Sequence, residues 1–226
     1  MNQLNERMLA VDIPRRMQRL PISPTGFPVP WFVAWFENGE PCESGRGTPD
    51  FRVIDTPKIN IAINQKRCWV CGDKLGVHHA FVIGPMCAIN RVVSEPPSHR
   101  DCAIFGATSC PFLSQPRMKR NEKNLYGVPP AGFGLKRNPG CVCVWITRSY
   151  RPFRPGVGGD GVLFRLGDPE ETLWFAHGRS ATREEVLQSI NSGLPLLQEL
   201  AVQDGHAGER SLKRQYDSTM SLLPVA

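Results

Sequence analysis

The pattern that most restricts the fold of this chain is two short pairs of metal-ligating residue types. The first pair, Cys68 and Cys71, is separated by two residues and followed by Gly72. Two thiols at this spacing can face one tetrahedral ion because the turn between them is short, and glycine suits such a turn. The second pair is His99 and Cys102. Together the pairs predict a closed zinc site, in which the ion stabilises the fold and performs no chemistry.

The second pair is predicted to lie in the first turn of a helix. Two prolines precede Ser98, which is a good N-cap residue, and Asp101 stands three positions after it. A helix over residues 99–109 would place His99 and Cys102 on one face, since residues three apart are neighbours on a helix. This helix would therefore present both ligands in the same direction.

A hairpin is predicted between the two pairs. Residues 80–93 hold two apolar runs broken by a Gly-Pro dipeptide, which is typical of a hairpin. A cysteine knuckle, a hairpin and a helix that donates two ligands resemble the treble-clef zinc finger over residues 68–110. The resemblance implies that the zinc ligands are Cys68, Cys71, His99 and Cys102. Residues of the same types that could replace one of them are Cys87, Cys110, His78 and His79.

Buried thiols are the alternative interpretation of these cysteines, because a free cysteine packs as a small hydrophobic side chain. This interpretation is favoured for Cys141 and Cys143, which lie in a β-branched run typical of a buried strand. Alternate residues of a strand face the same side, so this pair would share one face of a sheet.

Composition limits the classes to which the chain can belong. It has 226 residues, of which 41% are hydrophobic, so it can bury a core, while 21 glycines and 21 prolines indicate many loops. No run of apolar residues approaches the length of a transmembrane helix, and the charged N-terminus lacks the apolar run of a secretory signal. Three of the eight cysteines stand in CxxC and HxxC spacings, which favours a reducing, cytoplasmic location over a disulfide framework.

The pattern of apolar runs predicts an α+β protein, with strands and short helices around the zinc-binding unit and Gly/Pro-rich loops between them. Strands are predicted at residues 31–36, 51–55, 59–63, 141–147, 162–166 and 172–176, the last two as a hairpin. A capping box at Thr182 and Glu185 predicts a helix that ends at Gly193. The Asn38-Gly39 dipeptide predicts a tight hairpin turn.

Five segments are predicted from these elements. They are an extended arm at 1–28, strands with the zinc-binding unit at 29–113, a basic connector at 114–139, strands with a helix at 140–202, and a mobile tail at 203–226.

Positive charge is concentrated in one part of the chain. The net charge is +6, and residues 113–159 alone carry nine Lys or Arg against Glu122, which gives +8. Cations neutralise phosphate and aromatic rings stack on unpaired bases, so this segment predicts nucleic-acid binding. The residues assigned to it are Arg117, Lys119, Arg120, Arg148, Tyr150, Arg151 and Arg154. A solvated basic loop without a ligand is the alternative.

A metal-dependent nuclease is the second functional hypothesis. The order His78-His79, Asn90 and His99 resembles the HNH nucleases. The resemblance implies that His79 activates water, Asn90 orients the backbone, and His78 and His99 hold a divalent ion. A proline pair stands where zinc-bearing members have a second CxxC, and one histidine cannot serve both a closed zinc site and a catalytic ion.

Two weaker inferences complete the prediction. A protein–protein adaptor, with the zinc unit as a rigid knob, is the third functional hypothesis. Residues 84–91 and 174–195 faintly resemble uncharacterised bacterial and phage protein families, which implies a bacterial or viral source and no particular activity. Because the predicted zinc site is closed and the nuclease motif is incomplete, a binding protein is favoured over an enzyme.

Overall fold

The computed structural model describes residues 12–115, 140–155 and 161–225. Within these ranges the protein is α+β, with three small antiparallel sheets and six helices, which confirms the predicted class. The strands are β1 (Val33–Glu37), β2 (Glu40–Cys42), β3 (Thr48–Ile54), β4 (His79–Ile83), β5 (Val92–Val93), β6 (Val142–Thr147), β7 (Tyr150–Phe153), β8 (Leu163–Leu166), β9 (Glu171–Ala176) and β10 (Arg179–Ser180). The helices are α1 (Pro57–Gln65), α2 (Pro85–Asn90), α3 (Arg100–Ser109), α4 (Pro111–Ser114), α5 (Arg183–Gln203) and α6 (Gly205–Met220).

The first sheet has the order β2-β1-β3. Its β1–β2 turn is formed by Asn38 and Gly39, whose φ angles of 53° and 86° match the left-handed turn that this dipeptide favours. This hairpin is confirmed. The strand predicted at 59–63 is wrong, because these residues lie in α1, which begins at Pro57, where proline's missing N–H is not needed, and is capped by left-handed Lys66.

The second sheet, of order β10-β9-β6-β4, contains the most buried strand of the described chain. All six residues of β6 are buried. Alternate side chains enter two different apolar clusters, Cys143 and Trp145 on one face and Val142, Val144 and Ile146 on the other. Strand β6 therefore joins the two cores and has no polar face.

Two predicted hairpins are wrong, because the two strands of each belong to different sheets. Strand β4 pairs with β6, and β5 pairs with β8 in a third sheet of order β5-β8-β7, so residues 80–93 form two strands of different sheets with α2 between them. Pro85 starts α2 at its first position, and left-handed Arg91 ends it. Residues 162–176 are likewise divided, since β8 belongs to the third sheet and β9 to the second.

The C-terminal part of the chain is more helical than its sequence predicts. The capping box of Thr182 and Glu185 is confirmed, but α5 continues past Gly193 to Gln203 with Pro195 inside it. A Cβ atom at Gly193 would lie 2.9 Å from the sulfur of Met86, so glycine here allows close packing of α5 on α2. Helix α6 occupies most of the predicted tail.

The described helices also bear on the membrane prediction. None of them is both long enough and apolar enough to cross a bilayer. The division of the chain into five segments stays a prediction.

Candidate metal centre and basic residues

Two pairs of side chains that are distant from each other in sequence converge at one point. The ligand atoms of Cys68, Cys71, His99 and Cys102 all lie within 4.8 Å of one another, and the three cysteines are buried. Sulfur ligands of a tetrahedral zinc ion lie about 3.8 Å apart, given Zn–S bonds of about 2.3 Å. The cluster therefore has the residue types, the number and approximately the spacing of a Cys3His metal site.

The knuckle that carries the first two ligands is a tight backbone turn. The amide of Cys68 donates to the carbonyl of Asp73 at 2.7 Å, and the amide of Gly72 donates to the carbonyl of Cys68 at 2.9 Å. Gly72 has a φ of 76°, and a Cβ atom there would lie 2.9 Å from the ring of Trp31. Glycine is therefore required at this position by both the backbone and the packing.

The other two ligands lie at the start of α3. The helix begins at Arg100 with His99 as its N-cap residue, one position later than the sequence predicts. Ser98 instead exchanges backbone hydrogen bonds with Ala80 of β4, so it belongs to the sheet edge and not to the cap. Cys102 still lies in the first turn of the helix and is fully buried.

The ring of His99 is held in the orientation that a metal ligand needs. Its Nε2 atom lies 3.1 Å from the carbonyl oxygen of Lys74, which can only accept, so Nε2 carries a hydrogen. Its Nδ1 atom lies 3.4 Å from the sulfur of Cys71. A hydrogen bond from one ring nitrogen to a carbonyl while the other faces the ion is the usual arrangement around zinc.

Hydrogen bonds stabilise negative charge on the sulfur of Cys68. The backbone amides of Cys71 and His99 both donate to it at 3.4 Å. Burial opposes ionisation, but hydrogen bonds from the Cys102 and Cys71 thiols and from His99 outweigh it and lower the pKa of Cys68. Hydrogen bonds to Cys68 and Cys71 raise the pKa of His99 to about 10. Without metal the cluster therefore holds a thiolate beside a protonated histidine, and an incoming cation would displace that proton.

An N-terminal segment covers the cluster. Met17 is 1% exposed and packs with Leu75, Phe105 and the three cysteines. Arg19 forms an ion pair with Asp73 and donates to the carbonyl of Cys71 at 3.4 Å. The sequence did not indicate these contacts, because Arg19 and Met17 lie about fifty residues before the knuckle and carry no local pattern.

The alternative ligands lie outside the cluster. Within the described chain it contains none of Cys87, Cys110, His78 and His79. Cys141 and Cys143 share one apolar core, as their spacing predicts, and burial raises the pKa of Cys141 to about 11 and raises that of Cys143 as well. Thiols held neutral in this way are poor metal ligands.

The residues of the nuclease hypothesis are engaged in other contacts. His78 Nε2 lies 3.0 Å from a carboxylate oxygen of Glu170. The ring of His79 stands edge-on to Tyr150 at 4.9 Å, and its Nδ1 is buried without a partner among the described residues. Asn90 accepts from the amide of Val92, which helps to end α2.

Only part of the predicted nucleic-acid-binding set falls in the described chain. Arg117, Lys119 and Arg120 lie outside it. Arg148 forms an ion pair with Glu170 at 2.6 Å, and the ring of Tyr150 packs among His79, Phe81 and Phe164. Arg151 and Arg154 are exposed.

Comparison with known proteins yields no relative. No protein-family model, no curated protein and no solved structure matches the chain.

Proposed function

We propose that this chain is a zinc-stabilised binding protein whose ligand is nucleic acid. The observation that carries the proposal is the convergence of four Cys and His ligand atoms within 4.8 Å. A site closed by four protein ligands leaves no position for a substrate or an activated water, so the ion serves the fold. A cytoplasmic location and a bacterial or phage origin are parts of the proposal that rest on the sequence alone.

The ion would tie together two segments that are distant in sequence. It would join the knuckle to the first turn of α3, and Met17 and Phe105 pack around it. Because the cluster is the centre of its own small apolar group, binding free energy at this site is folding free energy.

Nucleic acid is the favoured ligand because of charge. Residues 113–159 carry a net charge of +8, and the exposed Arg151 and Arg154 form no ion pair with another described residue. A segment with a concentrated excess of positive charge attracts a polyanion and releases its counterions.

Metal analysis tests the first half of the proposal. Purified protein should contain one equivalent of zinc, and Cys68→Ser should contain none. Cys143→Ser is the matched control, because it makes the same substitution at a buried thiol outside the cluster. Zinc-free folded wild-type protein, or zinc retained in Cys68→Ser, would contradict the proposal.

Retention on immobilised nucleic acid tests the second half. Binding should weaken steeply as salt rises, since each neutralised phosphate contributes to the slope. Protein that passes through both single-stranded and double-stranded columns at low salt would exclude this ligand and leave the protein–protein adaptor as the favoured function.

The nuclease hypothesis is less well supported by the arrangement of its residues. It needs His99 at a catalytic ion, whereas both ring nitrogens of His99 contact groups of the cysteine cluster and its knuckle. Magnesium- or manganese-dependent nicking of a plasmid, abolished in His79→Ala, would restore it.

A further inference from the structure

The third sheet has one buried face and one open face. Phe164 and Leu166 of β8 and Val93 of β5 are buried in the main core. Side chains alternate along a strand, so Arg165 of β8 and Arg151 of β7 lie on the opposite face, and both are exposed.

On the open face a guanidinium group lies over an aromatic ring. The guanidinium carbon of Arg165 lies 5.4 Å from the ring centre of Phe153, which is half-buried and outside the apolar clusters. In the free protein the guanidinium covers one face of the ring, as in a cation–π pair. A phosphate that draws Arg165 away would uncover a flat ring of the kind on which a base can stack.

Two arginines stand directly opposite each other on this face. Arg151 pairs with Arg165 in the β7–β8 ladder, and like charges directly opposite in a ladder destabilise it. Among the described residues no carboxylate forms an ion pair with either side chain or with the neighbouring Arg154. Among the described residues this is an unfavourable charge arrangement, which a bound polyanion would convert into attraction.

We propose that the open face of β7 and β8 binds single-stranded nucleic acid. Arg151 and Arg165 contact phosphates, and Phe153 stacks on an unpaired base. This inference rests on the proposed nucleic-acid-binding function and adds its place and strand type. A single strand is selected over a duplex because the bases of a duplex are already stacked and cannot reach the ring of Phe153.

Fluorescence anisotropy with short labelled oligonucleotides tests the proposal. The probes are oligothymidylate and oligouridylate of about 16 nucleotides, near the upper site size of one such surface, and a DNA duplex of equal length. The wild-type protein should bind both single strands more tightly than the duplex. The two single strands differ in the 2′-hydroxyl, so their ratio separates a preference for DNA from one for RNA.

Substitutions on the open face should have two distinct effects. Phe153→Leu should weaken binding about 5- to 150-fold, the range of one aromatic–base stack. Arg151→Gln and Arg165→Gln should each reduce the slope of log affinity against log salt by about 0.7, the value for one phosphate of a single strand. Arg214→Gln is the control, because it removes an exposed arginine that belongs to α6 and not to this sheet, and it should change neither quantity.

The thermal stability of each variant without ligand shows whether weaker binding results from a lost contact with the ligand or from a loss of folded protein. Arg151→Gln removes a like-charge pair, so its melting temperature should be equal to or above that of the wild type while its binding is weaker. Equal binding by wild type, Arg151→Gln and Arg165→Gln, or a preference for the duplex, would overturn the inference and leave the proposed function standing. Failure of every oligonucleotide to bind at low salt would overturn both.

Discussion

The three cluster thiols and the thiols of Cys141 and Cys143 are all buried, yet Cys68 and Cys143 have opposite surroundings. Cys68 accepts hydrogen bonds from two backbone amides and faces a histidine, and its pKa is lowered. Cys143 is enclosed by apolar side chains, and burial raises its pKa. Burial alone therefore does not identify a metal ligand. The polar groups within reach of the sulfur do so.

The two regions also differ in what holds them together. The strand core contains large side chains such as Trp145, Phe81 and Phe164, and it can be stabilised by buried apolar area alone. The cluster core is small, with Met17, Leu75 and Phe105 as its larger apolar members. We therefore expect the cluster region to depend on its ion and the strand region to be insensitive to metal.

Removal of the ion should have the largest effect. Cys68→Ser, or chelation of the wild type, should unfold residues around the knuckle, since structural zinc contributes on the order of 10 kcal/mol of apparent binding free energy. Circular dichroism and urea titration with and without chelator measure the loss. An unchanged unfolding midpoint in the chelated wild type would contradict the expected difference in metal dependence between the two regions.

The same substitution in the strand core should have a smaller effect that does not depend on metal. Cys143→Ser buries a hydroxyl among apolar neighbours, which costs about 1–3 kcal/mol. The urea midpoint should fall by the same amount with and without chelator. Cys143→Ala is the companion variant, because it removes the sulfur without adding a polar group, and zinc content should be normal in both.

The difference between the regions explains which features the sequence predicts. The ligands are recognised because each pair is local, two or three residues apart, and turn and helix geometry brings its members together. The capping box of α5 is recognised for the same reason. The sequence also predicts that the two pairs converge, because together they supply the four ligands of one tetrahedral ion.

Strand partners could not be predicted in this way. Strand β4 pairs with β6, more than fifty residues later, so the apolar runs at 80–93 contain no information about which strand lies beside them. In α1 the isoleucines alternate as they would in a strand, at positions 59, 61 and 63. Pro57 and tertiary contacts nevertheless favour a helix. Where packing against a distant part of the chain determines whether a segment is a strand or a helix, the local sequence pattern is a weak predictor.

The pH dependence of stability should have opposite signs in the two regions. In the cluster the raised pKa of His99 opposes the lowered pKa of Cys68, so an acid-side loss of stability should come from protons that compete with zinc for the ligands. The pKa of Cys141 is raised to about 11, so its contribution is full below 9 and is lost as pH rises toward 11.

Urea titrations between pH 6 and 11 measure both trends, and each thiol changes stability by at most about 1.4 kcal/mol per pH unit. Cys141→Ala should flatten the loss above pH 9 and leave the acid side unchanged. Zinc occupancy of the wild type should fall on the acid side, since protons compete for the ligands. An acid-side loss of stability that is identical in Cys68→Ser would contradict this assignment.

The smallest expected effect concerns the N-terminal segment over the cluster. Arg19 is more than half exposed, so its ion pair with Asp73 contributes less than about 1 kcal/mol to the free energy of unfolding. Its hydrogen bond to the carbonyl of Cys71 nevertheless ties the segment to the knuckle, so Arg19→Ala should speed zinc release to a chelator more than it lowers the urea midpoint. Arg46→Ala is the control, because it breaks another exposed pair, with Glu37 in the first sheet. Equal release rates in both variants would mean that the covering segment does not protect the ion, and that Met17 and its apolar neighbours alone keep water from the cluster.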